Sequence, residues 1–185
     1  MLSFIIHVNV FAQEGWKLIY TFPWGVNSVF FEDSLNGFAY PAPSGLYRTT
    51  DGGESWNIDT IANLNSNISK IISFGNNTVI GVGTGGTIVQ SSDGGNNWEV
   101  KNIGTTDNLI SICSTIDGKI FISSDSKNIY RSTDNGNSWN IYSLDTMYNY
   151  PSSISFSNSL VGYGLSNETS IKTTDGGIPG LQFHR

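Results

Sequence analysis

The chain has 185 residues, enough for a domain with a hydrophobic core, yet only 13% are charged against 38% apolar. That charge content is about half the usual share, and the polar remainder is Ser, Thr, Asn and Gly, which disfavour helix interiors. A formal charge of -6 with no Lys/Arg stripe argues against nucleic-acid binding, and the single Cys113 excludes an internal disulfide.

In chain order, the apolar run from Leu2 to Phe11 ends at Ala12, with Val10 two residues before it. It resembles the end of a secretory signal, although no positive residue precedes it. Residues 1–12 are therefore expected to be a signal-like segment, and the protein to be secreted, periplasmic or at the cell surface. The run is too short to span a bilayer as a helix. Next comes an isolated strand pattern, Gly15-Trp-Lys-Leu-Ile-Tyr-Thr21.

From there the chain repeats itself. YRTTDGGESWNI from Tyr47, VQSSDGGNNWEV from Val89 and YRSTDNGNSWNI from Tyr130 align without gaps, and IKTTDGG from Ile171 begins a fourth copy. Asp51, Asp93, Asp134 and Asp175 are spaced by 42, 41 and 41 residues; Trp16, Trp56, Trp98 and Trp139 by 40, 42 and 41. Two columns in the same register identify an internal repeat. Each Asp is expected to accept backbone N–H groups two or three residues on, closing a turn. Gly53, Gly95, Gly136 and Gly177 supply its positive φ. The following Trp then packs back over its own turn.

Each period holds four strand patterns. The first is Val29–Phe31, Ile72–Phe74, Ile112–Ser114 and Ile154–Phe156; the second is Gly37–Tyr40, Val79–Gly83, Lys119–Ile122 and Leu160–Tyr163. The third leads into the Asp turn and the fourth begins at its Trp. The glycine-rich Gly81–Gly86 falls at a strand end with no helix after it, so it reads as a hairpin and not a phosphate cradle. Cys113, in an apolar stretch, reads as a small buried hydrophobe.

Ser/Thr-x-Asp-x-Gly-x-x-Trp resembles the Asp-box, or BNR, repeat of sialidase-like propellers, sortilin-type receptors, some large glycoside hydrolases and the YCF48-like group of photosystem II assembly factors. The resemblance implies an all-β fold, a β-propeller of four Asp-box repeats over residues 13–177, with 178–185 as a tail. The unpaired strand at Gly15–Thr21 is expected to complete the last blade, whose own Trp is missing, and so close a four-bladed, monomeric ring. The alternative is a partial or open propeller from a larger one. The resemblance also implies that Asp51, Gly53, Trp56, Asp93, Gly95, Trp98, Asp134, Gly136, Trp139, Asp175 and Gly177 are structural.

No chemistry stands out. One Cys with His7 and His184 cannot build a zinc site, so no metal or cofactor is expected. Sialidases of this superfamily need three arginines; here Arg48 and Arg131 occupy equivalent repeat positions and Arg185 ends the chain. The carboxylates Glu32, Asp33, Asp107, Asp125, Asp145 and Glu168 scatter over different blades and read as solvated loop groups, which disfavours a glycoside hydrolase. By resemblance, ligands meet the face opposite the Asp turns, which carries residues 23–25, 60–67, 102–108 and 145–151. There Trp24, Tyr148 and Tyr150, with Asp145, are the candidate ligand-binding residues, because aromatics beside small polar groups suit a sugar or peptide. The expected function is a non-catalytic binding module for a protein or glycan; the alternative is a YCF48-like assembly factor for a membrane protein complex.

Overall fold

The computed structural model describes residues 18–23, 25–41, 45–75, 77–144, 149–167 and 169–177. The expected signal segment, the tail, and Trp16, Trp24, Asp145, Tyr148 and Glu168 lie outside these residues.

Among the described residues the chain is all-β, in four consecutive antiparallel sheets. The first holds β1 (Val26–Phe31), β2 (Gly37–Pro41), β3 (Leu46–Thr49) and β4 (Asn57–Asp59). The second holds β5 (Ile68–Phe74), β6 (Thr78–Gly83), β7 (Thr87–Ser91) and β8 (Glu99–Asn102). The third holds β9 (Leu109–Ser114), β10 (Ile120–Ser124), β11 (Asn128–Ser132) and β12 (Asn140–Ser143). The fourth holds β13 (Ser153–Phe156), β14 (Gly162–Leu165) and β15 (Ser170–Thr173). Each sheet is a meander whose strands pair with their neighbours in chain order. The sheets pack through their first strands, β1 on β5, β5 on β9 and β9 on β13.

Local chemistry sets this pattern. The second strands of the two middle sheets are Ile-, Val- and Phe-rich and buried on both faces, as in Val79–Val82 and Ile120–Ile122, because each lies between two neighbouring sheets. Three apolar clusters form the core, and they sit between sheets rather than within them. Phe38 and Leu46 pack with Ile71 and Val89; Ile80 and Ile88 with Ile112 and Tyr130; Phe121 and Ile129 with Ile154. Phe121 stacks on Phe156 with ring centroids 3.6 Å apart.

The turns between third and fourth strands differ in detail from the expectation. The N–H of Gly53 donates to Thr49 Oγ1 at 2.9 Å, and those of Gly95 and Gly136 donate to Ser91 and Ser132 Oγ at 2.8 Å. The aspartate takes the N–H three residues on, as expected, and also the one four on: Asn96 and Asn97 donate to Asp93 Oδ1 at 3.0 and 2.8 Å, while Gly177, two residues on, donates to Asp175 Oδ1 at 3.0 Å. The Ser/Thr two residues before each Asp is therefore as much a part of the turn as the Asp. Trp56 does fold back, its Nε1 donating to Gly53 O at 3.1 Å. The fourth strands start one residue after the Trp, and β14 starts two residues later than its sequence pattern suggests. Gly81–Gly86 is the end of β6 followed by a single 3-10 turn, Thr84–Gly86, leading into β7. That is a hairpin connection, as expected.

The end sheets differ from the middle ones. Val29 is 58% exposed, whereas its repeat counterparts Ile71, Ile112 and Ile154 are buried. At the other end Tyr163 is 48% and Leu165 55% exposed, whereas Phe38, Ile80 and Phe121, the counterparts of Tyr163, are buried. Residues 18–21, the described part of the expected closing strand, carry no strand pairing. Ile19 Cδ1 lies 3.2 Å from where a Cβ on Gly53 would stand, and the Phe22 ring meets Trp56 and Tyr47 edge-on. This segment thus covers the turn of the first sheet.

Candidate functional site

The Asp turns gather at the end of each sheet where third strands leave and fourth strands begin. The opposite face is made by the loops before each first strand and by the turns between second and third strands. Hydrogen bonds lace these together. The Thr84 N–H donates to Asn67 O at 3.0 Å, Thr87 Oγ1 to Ser66 Oγ at 2.8 Å, and the Gly86 N–H to Asp107 O at 2.7 Å. The first two bonds tie the loop before β5 to the β6–β7 turn of its own sheet, and the third ties that turn to the loop before β9 of the next sheet.

Asp107 anchors it. Its Oδ2 accepts the Tyr130 hydroxyl at 2.7 Å, Asn128 Nδ2 at 2.9 Å and Ser124 Oγ at 3.0 Å. Burial pushes this carboxyl up, but the donors of Asn128 and Tyr130, with the neighbouring serines, carry it down to about 2. The group reads from sequence as a solvated loop carboxylate. It is instead a hydrogen-bonded strut between the loop before β9 and strand β11. The signal was the Ser-x-x-x-Asn-x-Tyr pattern at 124–130, whose alternation puts donors on one side of a hairpin. The other acids with described positions are also used locally: Asp33 Oδ1 caps the Leu35 and Asn36 N–H groups, Glu32 accepts Ser73 Oγ, and Asp125 accepts Asn108 Nδ2.

Beside the loop before β5 is a cleft of about 430 Å³, which the sequence did not reveal. Tyr40, Leu46, Ile61 and Leu64 supply apolar wall; Thr60, Asn65, Ser66 and Asn67 supply small polar groups. Ile61 and Leu46 are buried in the first core cluster, so this wall is backed by packed side chains. One carboxylate, Asp59, is among the lining residues. Burial raises its pKa above the ordinary carboxylate value, with the Arg48 charge and the Trp98 indole opposing. Of the aromatics expected on this face, Tyr150 is 42% exposed and follows the third sheet's last strand; Trp24, Tyr148 and Asp145 lie outside the described residues. Arg48 and Arg131 do not converge. Their guanidinium carbons lie 5.8 and 5.7 Å from the ring centroids of Phe38 and Phe121, in equivalent places. Among the described residues no group of three metal-ligating side chains lies together, and no helix is long and apolar enough to cross a membrane.

No protein-family profile matches the chain, and no curated protein sequence does. Solved structures do. An ancestral GH74 enzyme superposes with a TM-score of 0.68 at 21% identity, over 83% of this chain and 23% of that one. The WD40 β-propeller domain of Doa1 gives 0.68 at 10% identity, over 83% and 52%. YCF48 bound to a D1 peptide gives 0.57 at 16% identity, over 83% and 65%. The chain therefore spans between about a quarter and two thirds of the length of these neighbours. At such identities the likeness concerns the fold, and the fold is that of a β-propeller, its blades here being antiparallel sheets of three or four strands.

Proposed function

We propose that this chain is a non-catalytic, exported binding module that takes an extended peptide from a protein partner on the face opposite its Asp turns. The observation that carries this reading is the cleft beside the loop before β5. Its wall of Tyr40, Leu46, Ile61 and Leu64 suits an apolar side chain, and its Thr, Ser and Asn groups suit the N–H and C=O groups of a backbone. A single lining carboxylate favours binding over glycosidic cleavage, which needs two acids flanking the bond. The likeness to a propeller solved with a peptide bound favours peptide over glycan. The exposed Tyr150, in the loop before β13, belongs to the same set of loops.

The Asp turns are scaffold in this reading, resembling Asp-boxes, and the four blades form an arc whose ring is completed outside the pairing of β1 to β15. The exposed Val29 and Tyr163 support that view over closure within four blades. The test is a random peptide array probed with labelled protein, followed by Leu64→Arg. Peptides that bind, and lose at least tenfold in affinity on that substitution, support the cleft. Binding indifferent to Leu64→Arg, or turnover of any member of a glycan panel, overturns the proposal.

A further inference from the structure

The two end faces, the first of them partly covered by residues 18–22 beside Gly53 and Trp56, are complementary to each other, and the repeat shows how. At the junction of the third and fourth blades Phe156 stacks on Phe121, and the Arg131 guanidinium carbon lies 5.7 Å from the Phe121 ring centroid. The Ile154 N–H donates across the same junction to Ser111 Oγ at 3.3 Å. At the first junction the Ile71 N–H donates likewise to Ser28 Oγ at 3.1 Å, and Arg48 Nη1 reaches Asn96 Oδ1 in the next blade's turn at 2.9 Å.

Every one of these groups has a counterpart on the open faces. Tyr163, equivalent to Phe121, is exposed with Lys172 Nζ 5.5 Å from its ring centroid, as Arg131 is placed over Phe121. Phe31, equivalent to Phe156, is exposed on the first blade. Ser153, exposed on β13, is the counterpart of Ser28 and Ser111. Glu54 stands where Asn96 stands in the second blade, three residues after the turn aspartate, and it too is exposed. A cation on the fourth blade thus meets an anion on the first, where the internal junction joins a cation to a neutral amide.

We propose that the fourth blade of one chain docks on the first blade of a second copy, and reciprocally, so that two chains close one ring of eight blades. Tyr163 stacks on Phe31 of the other copy, Lys172 pairs with Glu54, and Val29 is covered as Ile71, Ile112 and Ile154 are. Closure removes two apolar faces that a soluble blade array does not leave open, and the two contacts are related by a two-fold axis.

The experiment uses the whole chain. Light scattering should give twice the 20.1 kDa chain mass. Lys172→Glu and Glu54→Lys should each weaken the dimer by about tenfold, and the double reversal should restore it. Carbodiimide cross-linking of a mixture of isotopically light and heavy chains should then yield Lys172–Glu54 peptides of mixed label. A monomer mass overturns the proposal. So does a cross-link found within light or within heavy chains alone, which would mean closure inside one chain. Charge reversals with no effect on the dimer would place its interface elsewhere. Leu64→Arg, at the peptide cleft, should leave the mass unchanged, so the two proposals fail separately.

Discussion

Replacing Gly95 by alanine probes how the turns lock one blade to the next. Gly95 has φ of 85°, a conformation that costs a residue with a Cβ about 1–2 kcal/mol. A Cβ at this position would also stand 2.7 Å from Cε1 and Cζ of Phe38, a ring that is fully buried in the preceding blade. Neither ring nor turn has room to retreat, since Phe38 also meets Trp98 edge-on at 5.8 Å. Overpacking of this kind adds about 1–3 kcal/mol, so the substitution should destabilise by about 2–5 kcal/mol in all. Gly177 is the internal control. Its φ is 72°, but among the described residues no atom beyond its chain neighbours lies within 4 Å of where its Cβ would be. Gly177→Ala should therefore lose the backbone part alone, about 1–2 kcal/mol. Urea titration followed by tryptophan fluorescence reads both, provided the slopes match. If the two variants lose the same stability within about 0.5 kcal/mol, Phe38 does not press on Gly95 and the packing of blade on turn described above is wrong.

Acid should weaken the fold through its turns. Side-chain hydrogen bonds from Ser55, Asn97 and Ser138, followed by the backbone donors, hold Asp51, Asp93 and Asp134 at about 2. An unfolded Asp titrates near 3.9, so the stabilisation is present above about pH 4 and is lost as pH falls towards 2. A melting temperature that stays level between pH 5 and 2 would contradict this. Asp107→Ala should cost about 2–3 kcal/mol in a denaturant melt, because the buried Tyr130 hydroxyl, Asn128 and Ser124 lose a shared charged acceptor; a loss under about 0.5 kcal/mol would deny it a structural role. Burial pushes the Cys113 thiol up to about 11, so alkylation by iodoacetamide at pH 8 should be slow and should quicken about tenfold per pH unit up to pH 10. Rapid labelling at neutral pH would show the thiol to be open.

Much of the blade was legible in the sequence, because its determinants are near neighbours along the chain. The Ser/Thr, Asp and Gly of each turn bond to one another within four residues. Strand placement followed from β-branched and aromatic runs between such turns, and the matching repeat positions of Arg48 and Arg131 correspond to equivalent places beside Phe38 and Phe121. The strut at Asp107 was not legible, since its partners arrive from a hairpin 17 to 23 residues away. Nor was the cleft, which needs Tyr40 and Leu46 from one pair of strands beside the loop at 60–67.

The ends of the repeat make the division clearest. The sequence by itself set one apolar strand position in every copy, read as Val29, Ile72, Ile112 and Ile154; the strand register makes Ile71 rather than Ile72 the counterpart of Val29, Ile112 and Ile154. Only the tertiary structure decided that three of them are buried while the first faces open solvent. The physical reason is that a blade's turns and pairings are local, whereas the covering of its face depends on whether another blade lies beside it. Residue type carries no record of that neighbour.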